Sequence, residues 1–286
     1  TYINNTSYQG KLKEITQAGA ELINDDTSDA DAEMIAMTVE TLLKSGLKEF
    51  QIDVGHAEFF GGLAEAAGLD PLQIKDIKKL LEDKNEFAIE QYVNECDIPE
   101  DVRDIICKLP EMFGNIDYID KALQSVTNER ALAALDRLKK LYTIIDGYGF
   151  ADYVNVDLGM VSRYNYYTGI IFYAYTFGTG EPIVKGGRYD KLLEYFGKAA
   201  PSIGFAIVVD QLMSALSRQK IEIAVPNDSQ LIVYEAGKFK EAVAKATQLR
   251  KDGQKVEMLM KDPSRTKEDY NSYACKNQIK NVIWFQ

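Results

Sequence analysis

The chain has 286 residues, 46% of them hydrophobic and 27% charged, with a formal net charge of −11. That length supports one to three domains with a sizeable core. The acidic balance opposes a surface built mainly to hold nucleic acid, because phosphate binding rests on Lys and Arg, and no stretch approaches the ~20 apolar residues of a membrane span.

The opening residues read as strand, with Leu12, Ile15, Ala18, Ala20 and Leu22 in loose alternation. Because Thr1 is not an initiator Met and begins inside that stretch, sequence is expected upstream of it. "TSDADAEMIAMTVETLLKSGL" predicts a helix capped by Thr27 or Ser28, acidic in its first turn and stopped by Gly46. Its Ile35, Val39, Leu42 and Leu43 fall on one face. "KEFQIDVGH" alternates as a strand, and "AEFFGGLAEAAGL" follows as a short helix ending at Gly68.

Between Asp70 and Asp146 the pattern is helical throughout, punctuated by Asp-Pro, Ile-Pro and Leu-Pro breaks. The strand pattern resumes in "YVNVDLGM", "YTGIIFYAYTF" and "PIVKGG". A helix is predicted for "YDKLLEYFG", and "IGFAIVVDQLMSALSRQ" runs from strand into helix. From Pro226, strands alternate with helices, which implies a small α/β domain with a parallel sheet. The expected division is therefore a core of residues 1–69 and 147–225, a helical insertion at 70–146, and a C-terminal α/β domain at 226–286.

Few residues stand out for chemistry when taken alone. Cys96, Cys107 and Cys275 lack metal or redox spacing and read as reduced thiols of a cytoplasmic protein. No His/Cys/Asp/Glu cluster has zinc spacing. The lone His56 reads as structural or surface. "GTGEPIVKGGRYDKL" lacks the ending of a phosphate loop and the spacing of a dinucleotide fingerprint, so by itself it reads as a turn. Tyr164, Tyr166 and Tyr167 fit either a ligand pocket or ordinary sheet packing. The residues by themselves describe a cytoplasmic α+β protein with an aromatic pocket.

Separated stretches, in order, resemble the catalytic core of the histidyl-tRNA synthetases, a class II aminoacyl-tRNA synthetase family. They are "QGKLKEITQAGAELI", "DADAEMIAM", "DLGMVSRYNYYTGIIF", "GGRYDKL" and "PSIGFAIVVDQL". The resemblance implies a class II synthetase-like antiparallel sheet with a helical insertion, followed by a shortened anticodon-binding-like domain. The first class motif is not in this sequence. Gln17 and Glu21 match positions that face the bound histidine in that family, and Tyr166 and Tyr167 match the tyrosines that wall its imidazole.

Departures from the pattern fall on the ATP side. Ungapped alignment places Ile3 and Asn5 where the second motif has an arginine and a glutamate. Ser162 stands where the histidine signature begins with arginine; Arg163, one residue later on a strand, would point to the other face. Asp210-Gln211 replaces the Glu-Arg pair of the third motif. Adenylation depends on charge stabilisation and positioning at the phosphates. One lost donor costs about 3–4 kcal/mol, roughly 10²–10³ in rate. With all three arginines replaced, no catalytic residue, metal or cofactor is expected.

A synthetase-like chain with this loss and a retained histidine pocket most resembles the regulatory subunits of ATP phosphoribosyltransferase, synthetase paralogs of histidine biosynthesis. That resemblance implies a non-catalytic protein that activates the short-form catalytic subunit and confers feedback inhibition by L-histidine. It also implies a homodimer within a hetero-octamer, without tRNA or membrane. A divergent histidine-tRNA ligase, a tRNA-binding pseudo-synthetase module and a structural scaffold are the competing readings.

Overall fold

The computed structural model describes residues 1–2, 14–162, 166–223 and 229–286. The chain forms two compact units, Thr1–Glu222 and Ile223–Gln286.

In the first unit, β1 (Gln17–Ile23) leads to α1 (Ser28–Lys44), then β2 (Phe50–His56) and α2 (Ala57–Ala66). The hydroxyl of Thr27 accepts from the Ala30 amide at 3.2 Å and fixes the start of α1. Gly46, at φ +101°, adopts the left-handed conformation that ends it. Ile35, Val39 and Leu42 are fully buried, as the spacing predicts, while Leu43 is only partly covered.

The helical stretch comprises α3 (Pro71–Glu82), α4 (Glu86–Asn94), α5 (Glu100–Lys108), α6 (Asp117–Ser125) and α7 (Glu129–Gly147), with a two-residue strand β3 (Phe113–Gly114) inside it. That strand was not foreseen; two residues are too few to show alternation. Asp70 and Gln73 form a capping box at the start of α3, with Pro71 in the first turn. Ile77, Leu81, Ile89, Val93, Ile106 and Ile119 bury the inner faces of these helices in the common core.

The remaining strands are β4 (Val154–Asp157), β5 (Ile170–Thr176), β6 (Val184–Arg188) and β7 (Ser202–Val208), followed by α8 (Val209–Arg218). The sheet order is β1-β7-β6-β5-β2-β4-β3, antiparallel throughout except for the β2–β4 pair. One face is apolar. It carries Ile52 and Val54, Phe172 and Ala174, Val184, and Ile203, Phe205 and Ile207, packed in one core with α1 and α7. Burying each large side chain contributes about 1.5–3 kcal/mol. The other face is open, and alternation along each strand assigns residues to it.

The helix expected at "YDKLLEYFG" is instead a 3₁₀ helix, Leu192–Phe196, ended by Gly197 at φ +88°. None of its five residues is buried, so no apolar face holds a longer α-helix against the core.

The second unit contains β8 (Gln230–Tyr234), α9 (Phe239–Lys251), β9 (Val256–Met260), α10 (Lys267–Lys276) and β10 (Asn281–Phe285). Its sheet, ordered β10-β8-β9, is parallel, as the alternating pattern implies. The central strand is covered on both sides. Ile232 packs with Ala242 and Ala246 of α9, while Leu231 and Val233 pack with Tyr270 and Ala274 of α10. Among the described residues, no helix is long and apolar enough to cross a membrane.

Candidate functional site

A row containing three glycines crosses the open face of the seven-stranded sheet. Glu21 lies opposite Gly204, Gly204 opposite Gly187, Gly187 opposite Ile171, and Ile171 opposite Gly55. Each glycine leaves room for a larger group. A Cβ on Gly204 would stand 1.7 Å from the Glu21 carboxylate, one on Gly187 2.5 Å from the Tyr167 ring, and one on Gly55 2.6 Å from the Met160 side chain. The glycines thus floor a shallow recess, and the side chains that occupy it come from β1 and from the segment after β4.

Glu21 is positioned by a hydrogen bond from the Tyr189 hydroxyl. Burial and this bond push the Tyr189 phenol well above its ordinary value, so it stays a donor at neutral pH. Tyr166 packs against both neighbouring tyrosines, with centroids 4.5 Å from Tyr167 and 6.2 Å from Tyr189, the latter nearly edge-on at 83°. The result is a carboxylate acceptor at the rim of a tyrosine-walled recess, suited to a flat ligand with an N–H donor.

Gln17 lies on the same face of β1, four residues from Glu21, opposite Val208. Its side-chain oxygen accepts from the Thr1 hydroxyl at 3.0 Å. Asp210 accepts from the Thr16 amide at 3.3 Å, so the Asp210-Gln211 pair begins α8 beside the start of β1. Ser162 is buried on the segment leading to Tyr167. Ile3 and Asn5, together with Arg163 and Tyr164, lie outside the described residues.

"GGRYDKL" holds the recess together, and its residues act as more than a turn. Gly187 is part of the floor and Tyr189 grips Glu21. Arg188, only 2% exposed, points to the opposite, core side. Its Nε donates to Asp31 at 2.7 Å and a terminal nitrogen donates to Asp190 at 3.0 Å. Arg137 from α7 donates to the second Asp31 oxygen at 2.7 Å. Burial pushes the Asp31 carboxyl up, and the two guanidiniums pull it back. Asp190 in turn accepts from the Thr168 hydroxyl at 3.1 Å, while the Asp190 amide donates to that hydroxyl at 2.9 Å. Gly169 leaves space for Arg188, since a Cβ there would sit 2.8 Å from its side chain. The Thr-Gly turn beside the tyrosines is therefore anchored to α1 through one buried ion network.

Sequence reasoning on single residues did not give Arg188, Asp31 or Asp190 a role, although two quoted motifs contain them. The available signal was Asp31 in the apolar-rich helix α1, a carboxylate that needs a buried partner. His56, read as structural or surface, is buried: its Nδ1 accepts from the Glu58 amide at 3.2 Å and caps α2. Burial first, then Arg137 and Arg188, pull its pKa down to about 3. Asp53, on the open face of the same strand, moves the other way. Burial and the neighbouring Asp157 push it up to about 6, and one of its buried oxygens has no hydrogen-bond partner. Among the described residues, no group of three His, Cys, Asp or Glu side chains is placed to hold a metal ion.

An antiparallel sheet with a helical insertion and a glycine-floored open face is the class II synthetase type of core, and comparison with known proteins agrees. The Histidyl-tRNA synthetase family matches residues 2–212. A solved structure from Bacillus halodurans, described as an ATP phosphoribosyltransferase regulatory subunit/histidyl-tRNA synthetase, superposes with a TM-score of 0.78 at 28% identity, covering 97% of this chain and 70% of that one. The ATP phosphoribosyltransferase regulatory subunit of Acetivibrio thermocellus is 43% identical over 87% of this chain and 60% of its own length. That of Clostridium kluyveri is 39% identical over 94% of this chain and 69% of its own. The chain thus spans between half and three quarters of the length of these curated relatives. It belongs to the histidyl-tRNA synthetase family and, within it, to the ATP phosphoribosyltransferase regulatory subunits.

Proposed function

We propose that this chain is a non-catalytic subunit that senses L-histidine for a short-form ATP phosphoribosyltransferase catalytic subunit. It activates that partner at the first step of histidine biosynthesis and inhibits it when histidine is abundant. The observation that carries the reading is the Glu21 carboxylate, held by Tyr189 over Gly204 and faced by Tyr166 and Tyr167. An imidazole lies against the tyrosine cluster and donates its N–H to Glu21, while Gln17 meets the α-amino group. A ligand without that donor forgoes the charge-assisted bond to Glu21, which gives selectivity.

The ATP side lacks matching equipment. Serine at 162 and glutamine at 211, with isoleucine at 3 and asparagine at 5, supply none of the positive charge that adenylation needs. The reading therefore excludes ligase activity and assigns regulation through a coupling free energy, typically ~1–3 kcal/mol, between the histidine site and the partner's active site. The assembly is a homodimer within a hetero-octamer, four copies of each subunit, in the cytoplasm.

Calorimetry of histidine against the chain alone and then with a short-form catalytic subunit tests this directly. Binding to the chain alone, altered in affinity by the partner, is the expected result. Glu21→Gln should weaken that binding by about 10-fold or more while the assembly persists. Clear ATP–pyrophosphate exchange by the unmodified chain would falsify the non-catalytic reading.

A further inference from the structure

A second recess, a cavity of about 320 Å³, shares Tyr167 with the first. It is enclosed by α2, α3, the start of α7 and the segment that carries Val161, Ser162 and Tyr167. From α2 come the small residues Ala57, Gly61 and Ala64, and Phe60, Leu69 and Ile74 add larger apolar surface. Four charged side chains enter this space: Glu58, Glu65, Lys78 and Arg130.

Their pairing is uneven. Arg130 lies across Gly61, where a Cβ would stand 3.0 Å from the guanidinium. It is bound to Glu58 and sits 3.6 Å from Glu65, so two carboxylates already share its charge. Lys78 is half-buried and, among the described residues, makes no hydrogen bond or ion pair. Burial lowers its ammonium pKa, with Glu58 and Glu82 opposing that shift and Arg130 adding to it. An ammonium held partly out of water without a partner gains most from an arriving carboxylate. The four charges sum to zero, which suits a zwitterion better than a phosphate.

Ser162 belongs to the same wall. By the motif comparison this is where a synthetase would offer an arginine to the carboxylate end of its amino acid. We propose that Lys78, from the helical insertion, takes that place and receives the carboxylate of the amino-acid ligand. The inference rests on the histidine reading above and deepens it: Glu21 selects the side chain and Lys78 selects the acid.

The test compares L-histidine with histidinol, which keeps the imidazole and amine but has no carboxylate, by calorimetry on the full chain. The unmodified protein should prefer histidine by about 10-fold or more, the range expected for one charge-assisted hydrogen bond. Lys78→Met should lose that preference by weakening histidine alone. Lys78→Gln serves the same purpose if the Met variant does not fold, and Lys75→Met, on the exposed side of α3, should change neither ligand. Equal binding of both compounds by the unmodified chain, or an intact preference in the Lys78 variants, overturns the inference and leaves the histidine reading standing. No binding of either compound to the unmodified chain ends the histidine reading, and the inference with it.

Discussion

The two faces of the seven-stranded sheet are made from the same strands and follow different rules. On β2, Phe50, Ile52, Val54 and His56 point to the buried side, while Gln51, Asp53 and Gly55 point to the open side. The buried face is closed by volume, and its one charged strand residue, Arg188, is enclosed by partners. The open face is defined by missing volume, with Gly204, Gly187 and Gly55 giving their space to Glu21, Tyr167 and Met160. Side chains hold the fold on one face, and backbone floors a recess on the other. Changes in the packing of the first should therefore act on stability, and changes at the recess of the second on binding.

The largest expected effect tests the buried face. Arg188→Met leaves Asp31 with Arg137 as its only guanidinium partner, at a carboxylate with no exposed surface. Breaking a buried pair on one side typically destabilises by about 3–5 kcal/mol. Urea unfolding should show that loss; a loss below ~1 kcal/mol would mean that the network is dispensable to the fold. A smaller effect should come from the open face. Gly204→Ala places a Cβ where the Glu21 carboxylate now lies, and that flexible side chain can swing away from Tyr189 with little strain. Histidine affinity should fall about 10-fold or more, the size of a lost charge-assisted hydrogen bond, with the unfolding midpoint nearly unchanged. A large drop in stability with binding intact would erase the distinction between the faces.

How much of this was legible in the sequence follows the same division. The strand pattern revealed β2 and β5, capping and glycine stops bounded α1, and the alternation of strands with helices after Pro226 pointed to a small parallel sheet. The 3₁₀ helix at Leu192–Phe196 was misread because its composition is helical while nothing in the fold covers it. At the recess, Glu21 and the tyrosine pair were found by resemblance, since no spacing rule links position 21 to position 189. Lys78 was invisible, because only the folding of the insertion brings it to the cavity that Val161, Ser162 and Tyr167 also line. Arg188 sat in plain view inside "GGRYDKL", but a glycine-rich string suggests a turn, and the buried carboxylate it serves is 157 residues away.

The smallest effect separates the two faces along a single strand. His56, on the buried side, has a pKa of about 3 in place of 6.5, so its protonation favours the unfolded chain. Its contribution is present above pH 6.5 and is lost as pH falls towards 3. Asp53, on the open side, has a pKa of about 6 in place of 3.8, so its protonation favours the folded chain. That contribution is present below pH 3.8 and is lost as pH rises through 6. Between about pH 4 and 6 the two oppose each other, each limited to about 1.4 kcal/mol per pH unit. His56→Asn, which keeps an acceptor to cap α2, should tilt the stability profile downward with rising pH over that window. Asp53→Asn should tilt it upward and raise stability at pH 7, where the unmodified carboxylate is charged beside Asp157 with an oxygen unpaired. Urea midpoints at pH 4, 5, 6 and 7, taken as differences from the unmodified chain, isolate these two groups from the other carboxylates. Difference curves that slope the same way would mean that burial does not set the charge of β2 on both faces.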